Sequence, residues 1–224
     1  MASLSALLGK TDSKQLCFVV SDGVFSMDGD VAPLPQLLEL TEQHKAVLML
    51  DDAHGFGCLG QTGGGLAQVT AESGVDVSED RLAILVGTFG KAFGTAGAFV
   101  AGSEELIETL IQFSRPYIYT TALPPALAEA TRCSLRLIQT EHWRREHLQQ
   151  LIKLFRQGCQ LLGYTLTNSS TPVQGLLLGN AEKALLASRL LEGQGLLVGA
   201  IRPPTVPPGT ARLRITFSAV HTLA

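Results

Sequence analysis

Cysteine is sparse and scattered in this sequence. Cys17, Cys58, Cys133 and Cys159 form no CxxC pair, so neither zinc-ligand spacing nor a disulfide framework is suggested. No metal site is expected, and reduced thiols fit a cytoplasmic setting. Basic charge is not in excess either. Lys and Arg number 17 against 20 Asp and Glu, a net charge of −3 that leaves no electrostatic footprint for nucleic acid. The opening MASLSALLGK lacks a basic segment followed by a long apolar core, so no secretory leader is read there, only an amphipathic turn or two. No internal repeat or low-complexity tract interrupts the chain. What is present is a 224-residue sequence with 46% hydrophobic and 17% charged residues, the composition of an ordinary globular protein with room for one large domain or two small ones.

The most informative stretch is Leu82 to Gly102, LAILVGTFGKAFGTAGAFVAG, which contains a single charge, Lys91. An ammonium at the centre of such a run is either expensive or useful. A transmembrane span is disfavoured, because a central lysine costs about 2.5–3.5 kcal/mol on insertion and glycines dilute the hydrophobicity. A buried strand, LAILVG, ending in a small-residue loop that presents Thr88 and Lys91 at its carboxyl end, accounts for the pattern better. Ligands of open α/β sheets bind at that end. Burial there is expected to lower the lysine pKa and favour the neutral, nucleophilic amine.

Along the rest of the chain, Gln15–Ser21 reads as a continuously apolar strand buried on both faces. A polar loop, Asp22–Asp30, follows. The leucine spacing of Pro33–Lys45 predicts a helix, and Ala46–Leu50 a second buried strand that delivers Asp51-Asp52-Ala53-His54-Gly55. The glycine-rich run from Gly55 to Gly65 must be loop. Leu82–Gly87 is the third strand and Gly97–Ala101 the fourth, a βαβ rhythm implying a mainly parallel sheet. Glu104–Phe113 reads as an amphipathic helix, Ser114–Ala122 as an extended connection, and Pro124–Leu162 as a long helical segment with one break. Tyr164–Thr167, Val173–Leu178, Leu196–Ile201 and Arg212–Phe217 read as strands, with a helix over Glu182–Leu191. The expected division is therefore a partial α/β large domain over 1–123, a connecting helical segment over 124–162, and a small α+β domain over 163–224. The prolines of Pro203–Pro208 mark a rigid loop between strands.

Three strand ends then carry polar groups together: Asp22 and Ser26, Asp51 and His54, Thr88 and Lys91. They supply an amine for a Schiff base, a carboxylate for a pyridinium proton, an imidazole or hydroxyl for a phenolic oxygen, and a hydroxyl for a phosphate. Those are the demands of pyridoxal 5'-phosphate, whose ring is an electron sink only while its nitrogen stays protonated.

The stretches SDGVFSMDGDVAPL, LDDAHGFGCLGQTGGG, GTFGKAFGTAG and AIRPPTVPPGTARLRITFSAVHT resemble the α-oxoamine synthases. These are fold-type-I pyridoxal-phosphate transferases that condense an amino acid with an acyl-CoA and lose carbon dioxide. The resemblance runs over nearly the whole chain and is closest to the biotin-synthesis branch, which joins alanine to pimeloyl-CoA. Glycine C-acetyltransferase is a sister activity, and a non-catalytic remnant is the other alternative. The resemblance implies that Lys91 forms the internal aldimine and moves the substrate α-proton, that Asp51 pairs with the pyridinium nitrogen, and that His54, with Ser26, faces the phenolic oxygen. It implies Thr88 on the phosphate, Thr120 and Thr121 reaching the phosphate of a neighbouring subunit in a homodimer, and Arg214 on the substrate carboxylate. An arginine suits that last role through its planar, bidentate fork.

The chain departs from the family pattern in several places. Asp22 stands where glutamate is common, and Gly64 where an arginine usually separates two glycines. The long N-terminal portion of the family, with its phosphate-binding helix start and ring-stacking histidine, has no counterpart here. A final helix would begin at His221–Ala224. The expectation is that this fragment alone binds cofactor weakly and catalyses poorly.

Overall fold

The computed structural model describes residues 1–11 and 15–223. Ala224, at the expected start of a further helix, lies outside them. The chain forms two compact units, Met1–Gly23 with Ala32–Glu141, and Val24–Val31 with His142–Ala224. The segment expected to connect two domains is thus divided at Glu141, one helix going to each unit.

The first unit opens with α1 (Ala2–Leu8) and is built on a four-stranded sheet. Its strands are β1 (Phe18–Asp22), β2 (Val47–Asp51), β3 (Ile84–Thr88) and β4 (Ala98–Ala101), in that spatial order. β1, β2 and β3 run parallel, and β4 returns antiparallel beside β3. The short Phe89–Gly97 connection explains this reversal, because a parallel crossover needs a dozen or more residues. Helix α2 (Leu34–Gln43) buries Leu34, Leu37 and Leu38, and the β2 leucines Leu48 and Leu50 are fully buried too. Helix α3 (Gly65–Glu72) emerges from the end of the glycine run, where only loop is expected.

The strands are not buried on both faces as their apolar runs suggest. In β1, Val19 is buried whereas Phe18 and Val20 are 54% and 63% exposed, and the apolar residues of β3 are half-buried. Successive side chains of a strand point to opposite faces. Among the described residues, one of those faces has little packed on it.

Helix α4 (Glu104–Phe113) starts on Ser103, whose hydroxyl accepts the Leu106 N–H, and carries Glu104 and Glu105 in its first turn. That is a favourable cap and a favourable charge for the helix dipole. The connection after it is not wholly extended. Pro116, tolerated in a first turn, lies in a short helix α5 (Arg115–Ile118). α6 (Pro125–Thr140) and α7 (Trp143–Leu161) are the two parts of the broken helical segment, α6 in the first unit and α7 in the second.

The second unit contains α7, β5 (Val173–Gly179), α8 (Ala181–Glu192), β6 (Gly199–Ile201) and β7 (Ala211–Thr216). Its three-stranded sheet is antiparallel, in the order β5-β7-β6. Two expected strands shrink. Tyr164–Thr167 keeps one bridge, Leu166 to Leu176, and Leu196–Ile201 keeps its last three residues. Buried Gln174 organises the interior, its amide donating to the Thr171 carbonyl (2.8 Å) and accepting from Arg156 (2.8 Å). Among the described residues, no helix is long and apolar enough to cross a membrane.

Candidate active site

Parallel register brings the first two strand ends together. Asp22 closes β1 directly opposite Asp51, which closes β2. The ladder continues one step beyond the strands, through Gly23 N–H to the Asp51 carbonyl (2.7 Å) and Asp52 N–H to the Val86 carbonyl (2.9 Å). Burial, then the Asp51 carboxylate, push the Asp22 carboxyl up from its usual value, and the Lys91 ammonium opposes them. The Asp51 carboxylate from the next strand end and the Lys91 amine from the loop after β3 are therefore both close enough to act on the Asp22 carboxyl.

Asp51 is half-buried. Its Oδ1 accepts the Ala53 N–H (2.9 Å), which closes an Asx turn leading to His54. His54 is half-buried on that turn. Asp52, its neighbour, points into the protein and is 1% exposed.

Thr88 ends β3 with its hydroxyl turned onto the next loop, donating to the Gly97 carbonyl (3.1 Å) and accepting the Gly90 N–H (3.3 Å). Lys91 lies on that loop and is exposed, which corrects the expectation of a buried ammonium. The apolar neighbours that suggested burial turn elsewhere. Phe93 is buried and stacks on Phe56, while Phe89 and Phe99 pack around them edge-on or tilted. The run is apolar because it builds a phenylalanine cluster under the loop, and the lysine is the residue left on top.

Helix α6 ties the loop down in a way the sequence did not advertise. Ser134 Oγ donates to the Phe93 carbonyl (2.7 Å), and Thr131 Oγ1 shares a hydrogen bond with Thr95 Oγ1 (2.8 Å). Thr120 and Thr121 follow α5 and are exposed.

Ser26 and Arg214 belong to the second unit. Arg214 is half-buried on β7, its Nε donating to the Ser26 carbonyl (2.6 Å), so the serine backbone, not its hydroxyl, meets the arginine. Among the described residues Arg214 has no carboxylate partner. Arg212, two residues earlier, is buried and ion-paired with Asp28. The RLR motif thus holds one structural arginine and one with an unneutralised charge.

The donor set fits pyridoxal phosphate. The amine is exposed, and a half-buried carboxylate stands at the end of β2. No group of three or more acidic, histidine or cysteine side chains suited to a metal occurs among the described residues. Sequence reasoning missed Asp52 and the α6 hydroxyls. The doubled aspartate of DDAH just before a glycine run was the only available signal for the former.

The profile of the aminotransferase class I and II family matches residues 1–224. A protein of Stutzerimonas stutzeri (strain A1501) named 8-amino-7-oxononanoate synthase is 59% identical over 221 residues, covering 99% of this chain and 55% of that protein. Among solved structures, serine palmitoyltransferase from S. paucimobilis with a bound PLP–myriocin aldimine superposes with a TM-score of 0.90 at 32% identity, over 99% of this chain and 55% of the other. The 8-amino-7-oxononanoate synthase of Francisella tularensis gives 0.83 at 33% identity, over 98% and 62%. The chain spans about half the length of the curated relatives it matches. Its α/β sheet, its strand-end polar groups and the full-length profile match agree, and the chain belongs to the aminotransferase class I and II family.

Proposed function

We propose that this chain is the cofactor-binding and carboxyl-terminal part of a pyridoxal-phosphate-dependent C-acyltransferase of biotin synthesis, which joins alanine to pimeloyl-CoA with loss of carbon dioxide. The observation that carries the reading is the register of Asp22 opposite Asp51 at the ends of β1 and β2, with Lys91 close enough to act on the Asp22 carboxyl. Identities of 54–61% to proteins named 8-amino-7-oxononanoate synthase support this branch over glycine C-acetyltransferase. A cytoplasmic homodimer, with Thr120 and Thr121 turned toward the neighbour's phosphate, completes the proposal.

When bound, pyridoxal phosphate supplies an electron sink for the substrate α-carbon. Lys91 Nζ would hold the group and would carry the proton to and from that carbon. Its exposed loop permits both roles, and the phenylalanine cluster beneath limits its wandering. Asp51 would hold a proton at the ring nitrogen, an electrostatic contribution prepared before the reaction begins. His54 would serve the phenolic oxygen, and the Thr88 hydroxyl, on release from the Gly97 carbonyl, the phosphate. Arg214 orients the amino-acid carboxylate.

Incubation with pyridoxal phosphate followed by borohydride, with peptide mapping, tests the reading. The pyridoxyl group is expected on Lys91 and lost in Lys91→Ala. Labelling spread over other lysines, unchanged by that substitution, refutes it.

A further inference from the structure

Directly behind Asp51 sits a carboxylate that the reaction scheme leaves unused. Asp52 is 1% exposed, and three glycines from three different turns close on its side chain. A Cβ on Gly23, just past β1, would lie 2.5 Å from Asp52 Oδ1. A Cβ on Gly55, in the turn after β2, would press on the same oxygen, and one on Gly65, at the start of α3, on Oδ2. Gly65 also has a φ of +80°, a conformation glycine adopts without penalty. The Leu66 N–H donates to Oδ2 (2.5 Å), while Oδ1 has no hydrogen-bond partner among the described residues. The backbone is gripped as well: the Asp52 carbonyl accepts Gly55 N–H (3.0 Å) and Phe56 N–H (2.8 Å).

A buried carboxyl group with one orphaned oxygen is costly, and such a group calls for an explanation. Here it is the common wall of three turns, and those turns present Asp22, Asp51 and His54. We infer that Asp52 is a positioning residue: its Oδ2, capping the Leu66 amide, and its snug fit against Gly23, Gly55 and Gly65 fix the turn that aims Asp51 and His54. The inference deepens the proposed function, and its cofactor arm rests on that reading. Burial pushes the Asp52 carboxyl up to about 6, with the Asp51 charge adding to it and the Leu66 and Gly55 amides opposing it. The charged group that acts on it is Asp51, at the end of β2.

Two readouts test this on the 224-residue chain. The first, without cofactor, is amide hydrogen exchange over residues 53–66. Asp52→Asn keeps an oxygen acceptor for the Leu66 amide and is expected to exchange within about twofold of wild type. Asp52→Ala is expected to lose at least tenfold protection at Leu66 and across the 53–56 turn, with β5–β7 unchanged. Should Asp52→Ala fail to fold, Gly55→Ala, whose methyl would displace Oδ1, is expected to give the same local loss. The second readout is the visible absorbance of the chain loaded with pyridoxal phosphate, titrated with pH. Asp52→Ala is expected to keep borohydride-fixed label on Lys91 while its absorbance midpoint moves by about one pH unit, because Asp51 is no longer held. Unchanged exchange in Asp52→Ala, or an Asp52→Asn variant as unprotected as Asp52→Ala, overturns the inference. If borohydride label on the wild-type chain at saturating pyridoxal phosphate spreads over other lysines instead of Lys91, it is the proposed function that fails, and the exchange arm still decides the role of Asp52.

Discussion

Replacing Asp28 with asparagine removes the counter-charge of a guanidinium whose side chain is only 6% exposed. Arg212 keeps one hydrogen bond, from Nε to the Thr210 carbonyl (3.0 Å), but its charge is left uncompensated inside the second unit. Breaking a buried pair from one side typically costs 3–5 kcal/mol. Asp28 itself is 44% exposed, so solvent screens part of the interaction and about 3 kcal/mol is expected. With a urea dependence of about 2 kcal/mol per molar, the unfolding midpoint of the β5–β7 unit should fall by about 1.5 M. Arg214→Lys is the contrasting perturbation. It retains the charge, loses the fork and risks only the Ser26 hydrogen bond, about 1 kcal/mol of stability. Its effect belongs in function: loss of bidentate carboxylate binding at about 2 kcal/mol lowers kcat/KM for the amino acid about 30-fold, chiefly through KM. Urea unfolding of the chain checks the first expectation, and alanine-dependent release of free CoA thiol in the full-length enzyme checks the second. A normal alanine KM in Arg214→Lys, with a raised KM in Arg212→Lys, would show that the two arginines have been assigned in the wrong order.

Asp52 also sets a pH slope. Folded, it holds its proton to about pH 6, against 3.8 for the unexposed-to-neighbours group in the unfolded chain, so the folded state binds more protons between those values. Stability should therefore fall as pH rises through that window, by up to about 3 kcal/mol, and Asp52→Asn should flatten the slope in pH-resolved thermal melts. A slope that persists in Asp52→Asn would assign it to other groups. Asp51→Asn should retain bound cofactor in the full-length enzyme yet lose most turnover, with Asp52→Asn milder; equal turnover in both would reassign the DDAH run. Gln174→Leu should destabilise the second unit by about 3 kcal/mol in urea, since it takes one acceptor from Arg156, which keeps the Thr167 carbonyl, and removes the donor to the Ser169 and Thr171 carbonyls. Finally, the 224-residue chain should yield little product from alanine and pimeloyl-CoA, with activity appearing when the sequence is extended to the length of its relatives; robust turnover by the chain alone would refute this.

Much of the fold was legible in the sequence because its signals are local. Leucine spacing marked α2, the amphipathic pattern of Glu104–Phe113 marked α4, and apolar runs ending in Asp22, Asp51 and Thr88 marked β1, β2 and β3. The candidate residues could be named for the same reason: chemistry-bearing groups clustered just past strand ends. Tertiary structure decided what local pattern does not encode. An apolar run reads alike whether one face of its strand is covered or both, so the exposure of Phe18 and Val20 could not be foreseen. Lys91 looked buried because its neighbours are apolar, but those neighbours pack on one another across Phe56, Phe89, Phe93 and Phe99 and leave the lysine outside. Two arginines of one motif were indistinguishable until β7 placed Arg212 against Asp28 and Arg214 against the Ser26 carbonyl. Two adjacent aspartates parted in the same way. Backbone geometry turns Asp51 toward the strand ends and Asp52 into three glycine turns drawn from distant parts of the chain, and only folding brings those turns together.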